Sequence, residues 1–117
     1  MDKYEKNLCQ QIRMNSMTWE RLVNHGVTSK TKLHLDFIFY APTESKAQKL
    51  KAILEKYEYE VAIRRQERTR VRRAWVVEGK TFETTVNLKM LDQWVAWMIE
   101  AGKRGNSDFD GWGTQVA

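Results

Sequence analysis

The densest chemistry in this 117-residue chain lies between positions 64 and 73, Arg-Arg-Gln-Glu-Arg-Thr-Arg-Val-Arg-Arg. Arg64, Arg65, Arg68, Arg70, Arg72 and Arg73 stand against the single carboxylate of Glu67. A guanidinium carries a planar fork of N–H donors that matches a phosphate or a carboxylate two bonds at a time. Six forks in ten residues therefore suit an RNA backbone or an acidic protein surface, held in a salt-sensitive way. A solvated loop whose charges deter edge-to-edge strand pairing is the plainer reading, and both stay open at this point.

A second concentration of chemistry closes the chain, Asp108-Phe109-Asp110-Gly111-Trp112-Gly113-Thr114. Asp108 and Asp110 stand two apart, so on a strand they share a face. That is the minimum geometry for acid/base work, but a hard cation needs about six oxygen ligands. The two carboxylates read better as a turn residue and a local hydrogen-bond acceptor. Trp112 between its glycines reads as an aromatic at the margin of the core, with a role as an exposed partner-binding anchor as the sharper alternative. His25 and His34 are the two histidines and Cys9 the one cysteine. One cysteine makes neither an intrachain disulfide nor a thiolate zinc site. No nucleophile elbow, His-Glu-x-x-His pair or phosphate-cradling glycine loop occurs. The residues thus give no catalytic set, no metal site and no cofactor, and they point to binding.

Charge sharpens this. The net charge is +5, from 20 basic and 15 acidic residues. Residues 64–73 supply all of it, leaving fourteen basic and fourteen acidic residues elsewhere. The basic patch is local. Hydrophobic residues at 42% and aromatics at 11% provide for a packed core. The length suits one domain over 1–117. A charged N-terminus and the lack of any apolar run near eighteen residues read as cytoplasmic.

The elements that must position these residues follow from periodicity. Tyr4, Leu8, Ile12, Trp19 and Val23 predict a helix over 2–24, closed by Gly26. Leu33, Leu35, Phe37 and Phe39 alternate with His34, Asp36, Ile38 and Tyr40, which predicts a strand over 32–40. Thr43 caps a helix over 44–57 with its stripe on Ala47, Leu50, Ile53, Leu54 and Tyr57. Strands are predicted over 58–66 and 74–84, with the arginine segment as their hairpin. A helix over 87–101 carries Leu88, Leu91, Val95, Met98 and Ile99, and Gly102 and Gly105 end it. The last strand covers about 109–116. Behind an N-terminal helix over 1–26, residues 32–117 thus spell βαββαβ. That is the α+β, ferredoxin-like sandwich, a four-stranded antiparallel sheet with both later helices on one face. The other face is open. An RNA-recognition surface of stacking aromatics does not fit it, because Arg73-Ala74-Trp75-Val76-Val77-Glu78 lacks the glycines of that signature. If Ile38, Tyr40 and Val76 lie on the open face, they offer a surface for a homo-oligomer.

The closing Asp110-Gly111-Trp112-Gly113, together with Leu35-Asp36-Phe37-Ile38-Phe39-Tyr40 before an Ala/Lys/Leu-rich helix, resembles the ribonuclease E inhibitor family. These are the bacterial, RraB-like regulators of ribonuclease E activity. The resemblance spans roughly residues 30–117. It implies a ferredoxin-like fold and a non-enzymatic, cytoplasmic protein that binds an RNA-decay endoribonuclease by protein–protein contact. The reading from a different class is a nucleic-acid-binding module that uses the arginine hairpin.

Overall fold

Strict alternation makes β2 (Asp36–Ala41) the centre of the molecule. Phe37, Phe39 and Ala41 are buried on one face, while Asp36, Ile38 and Tyr40 look out on the other. A computed structural model describes residues 1–67 and 73–116. Around β2 it sets α1 (Lys3–Asn24), α2 (Glu44–Glu55), β3 (Glu60–Glu67), β4 (Arg73–Lys80), α3 (Leu88–Arg104) and β6 (Asp108–Gly113). Two short strands, β1 (Lys32–Leu33) and β5 (Thr84–Thr85), pair with each other beside the main sheet. The main sheet is antiparallel throughout, in the order β3-β4-β2-β6. Counted from β2, its strands and α2 and α3 give the predicted βαββαβ pattern.

Both helices pack on the face that carries Phe37, Phe39, Val77 and Phe109. Ala47, Leu50 and Leu54 come from α2, and Leu91, Val95, Met98 and Ile99 from α3. Thr43 caps α2 by accepting from the Lys46 amide, and Asn87 caps α3 by accepting from Met90. Each cap satisfies an N–H that has no partner within its helix. Gly105 closes α3, but Gly102 lies inside it. A Cβ on Gly102 would stand 2.9 Å from the Ser107 carbonyl and 3.1 Å from the Phe39 ring. The residue that composition marks as a helix end is thus a close-packing point between helix and sheet.

The predicted strand over 32–40 is two strands, and so is the one over 74–84. Thr81 breaks both. Its Oγ1 accepts from the Leu35 amide at 3.0 Å, its own amide donates to the Leu35 carbonyl at 2.9 Å, and its carbonyl stands 2.7 Å from His34 Nδ1. The side chain takes over a ladder bond, and the chain beyond it turns to form the β1–β5 pair. No helix among the described residues is long and apolar enough to cross a membrane.

Candidate partner-binding surfaces

The first helix keeps only part of the stripe that hydropathy predicts: Tyr4, Leu8 and Trp19 pack against the core. Ile12 and Val23 are exposed, and the buried positions are Gln11, Asn15 and Leu22. The reason is the edge of the sheet. β6 has β2 as its one strand neighbour, so its other side carries backbone groups without a ladder partner. The register shifts between Ile38 and Phe39. Gly111 faces Ile38 and Phe109 faces Phe39, which leaves Asp110 as the extra residue of a bulge. Gly111 takes φ +151° there, a conformation that favours glycine. The amides of α1 cover this edge. Asn7 Nδ2 donates to the Phe109 carbonyl at 2.7 Å, and Gln11 Nε2 donates to the Asp110 carbonyl at 3.1 Å. One turn further on, Asn15 Oδ1 accepts from the Trp112 indole at 2.7 Å, and its Nδ2 donates to Asp92 on α3 at 3.0 Å. Indole N–H is purely a donor and carboxylate purely an acceptor, so the orientation of the Asn15 amide is fixed.

Trp112 is accordingly half-buried and built in. Its ring stands edge-on to Trp94 at 6.2 Å, and Trp94 stands edge-on to Phe109 at 6.3 Å. The Trp94 indole donates to the Tyr59 hydroxyl at 3.2 Å. Burial pushes the Tyr59 phenol above its ordinary range, against the opposing effect of that hydrogen bond. Tyr59 continues the aromatic run to Phe37, Phe82 and Trp97.

The sequence-selected residues that the structure describes fall into two groups toward opposite sides of the sheet. Asp108, Asp110 and Trp112 lie on β6. Asp108 forms an exposed ion pair with Lys3 at 3.1 Å, and its hydrogen bond holds the Lys3 ammonium above its ordinary range. Arg64 and Arg65 lie near the end of β3, and Arg73 opens β4 opposite Glu67. Arg64 pairs with Glu78 at 2.7 Å on the open face, and that hydrogen bond holds its pKa up. The Arg65 guanidinium stands over the Trp75 ring at 5.8 Å. Arg68, Arg70 and Arg72 lie outside the described residues. The open face is not an apolar patch. Val76 is fully buried, Ile38 and Tyr40 are half-buried, and the Arg64–Glu78 and Lys80–Glu60 pairs lie among them.

Two concave surfaces complete the picture. His25 and His34 share a cavity of about 630 Å³ beside the β1–β5 pair, with Lys32, Lys80, Asp36 and Glu83. Each Nδ1 stands 2.7 Å from a backbone carbonyl, that of Arg21 or of Thr81. Among the described residues no three His, Cys, Asp or Glu side chains group to hold a metal. A groove of about 410 Å³ runs between α1 and β6, over Gly111 and Gly113. Sequence reasoning missed Asn7, Gln11, Asn15 and this groove. The readable signal was three amide side chains spaced four apart, a stripe of the kind that turns inward to meet a backbone edge.

A strand edge rebuilt by a bulge and covered by amides is how this chain uses its terminal Asp-Gly-Trp-Gly, the segment that carried the resemblance. No curated protein matches the chain. The model of one protein family does match, over residues 12–114, from the middle of α1 through β6, and the chain belongs to that family, regulator of ribonuclease activity B.

Proposed function

We propose that this protein regulates an RNA-decay endoribonuclease, ribonuclease E, by direct protein–protein contact and without chemistry of its own, and so modulates RNA turnover. The family match over residues 12–114 carries the reading. The architecture suits it, because two of the side chains that composition marks as reactive are engaged in structure. Asp108 pairs with Lys3 and Trp112 with Asn15. The reading implies a cytoplasmic protein. Calorimetric titration of ribonuclease E, alongside its cleavage of a defined RNA, tests it. Saturable binding with altered cleavage is expected. An absence of binding heat together with an unchanged cleavage rate would sink it.

The concentration of the whole net charge in residues 64–73 supports a second reading, contact with RNA through Arg64, Arg65, Arg68, Arg70, Arg72 and Arg73. An RNA titration over salt separates the two. A steep fall in affinity with salt, abolished by Arg68→Ala with Arg70→Ala, marks phosphate contact. No RNA binding at low salt removes it.

A further inference from the structure

Gly113 has no internal reason to be glycine. A Cβ built on it meets nothing within 4 Å, and its backbone is not in the left-handed region. Gly113 is the last residue of β6, and without a side chain it leaves the backbone there open to close approach. Gly113 pairs with Asp36 of β2, and Gly111 pairs with Ile38. The two glycines floor the groove between α1 and β6. Met14 of α1, 47% exposed, and Ile38 give it apolar walls. The charged side chains that line it are Asp36 and Asp110, and neither carboxylate has a hydrogen-bond or ion-pair partner among the described residues. Gln11 fixes the floor by bonding the Asp110 carbonyl.

A glycine floor, a thioether and an aliphatic wall, and two free carboxylates define a ligand with an apolar stem and a cationic head. Long basic side chains have that form, with methylenes that pack on apolar surface and a charge that seeks an acceptor. The thioether of Met14 adapts to such a stem. We infer that this groove receives an arginine or lysine side chain from an extended segment of the protein partner. The inference rests on the ribonuclease reading above and names the surface that would serve it. Solvation accounts for either exposed carboxylate taken alone; their place in one groove with a glycine floor and apolar walls is what points to a ligand.

Gly113→Val fills the groove and leaves every charge in place, and Asp36→Asn with Asp110→Asn removes the charge and leaves the shape. Each variant, with the unaltered protein, is titrated calorimetrically with ribonuclease E. Each is also titrated with a blocked tetra-arginine peptide, followed through the Gly111 and Gly113 amide resonances. Both changes are expected to weaken both ligands by about tenfold or more, the scale of a central contact. If Gly113→Val binds ribonuclease E as the unaltered protein does, or if the peptide leaves the two glycine resonances unmoved, the groove assignment is overturned. If the peptide binds in the groove while ribonuclease E does not bind at all, the groove stands and the ribonuclease reading fails.

Discussion

The indole of Trp112 donates to the side-chain carbonyl of Asn15 at 2.7 Å, and one buried amide of the first helix thereby joins the last strand to Asp92 of α3. Asn15→Leu keeps the volume and strands both partners. It is expected to cost about 1–3 kcal/mol, the penalty of leaving a buried donor unpaired. Chemical denaturation measures the loss. Trp112→Phe is expected to cost less in the Asn15→Leu background than in the unaltered protein, because the shared bond is already gone. Equal costs in the two backgrounds would show that the bond contributes nothing.

Thr81 gives a second test. Thr81→Val is nearly isosteric but removes the oxygen that accepts from the Leu35 amide. A loss of about 1–3 kcal/mol is expected. Faster hydrogen exchange at the Leu35 amide should accompany it.

The glycines are expected to separate sharply. A Cβ on Gly79 would stand 1.7 Å from the Glu60 carbonyl, and one on Gly102 would stand 2.9 Å from that of Ser107. Backbone cannot yield as a flexible side chain does. Gly79→Ala is expected to cost about 3 kcal/mol or more, and Gly102→Ala about 1–3 kcal/mol. Gly113→Val, facing open space, should stay within about 0.5 kcal/mol. Thermal unfolding of the three variants checks the order.

Tyr59 sets a limit at high pH. Burial raises its phenol pKa above its ordinary value, so the folded state keeps the proton while the unfolded chain loses it. Its contribution is therefore full below about 10, and is lost as pH rises from there through the folded value. Tyr59→Phe is expected to flatten that part of the stability curve. A slope above pH 10 identical in Tyr59→Phe and the unaltered protein would assign the loss to other groups.

Much of the fold was legible because two periods were clean. Phe37 and Phe39 announce a strand, Leu91, Val95 and Met98 a helix, and the order of elements does the rest. What hydropathy could not show is where polar groups do structural work. Gln11 and Asn15 count as surface residues in any hydropathy scale, yet they face inward because backbone carbonyls and an indole wait there. Thr81 likewise reads as one more strand residue, although its hydroxyl ends one ladder and leaves room for a second. The sites were legible as composition but not as placement. The arginines and the Asp-Gly-Trp-Gly segment were visible, but the separation of Arg64 and Arg65 from that segment to opposite edges depends on the strand order.

That separation gives the sheet a direction of growth. The β6 rim is closed by the side-chain amides of α1, and no further strand can add there without displacing a helix. The β3 rim has β4 as its one strand neighbour, and charged Glu60, Arg64 and Arg65 stand along it. Strand addition is therefore hindered by a helix at one rim and disfavoured by charged side chains at the other. Loss of the Asn7 and Gln11 amides should convert the sterically guarded rim into a sticky one, so that aggregation, more than lost affinity, would be the first symptom of damage to the first helix.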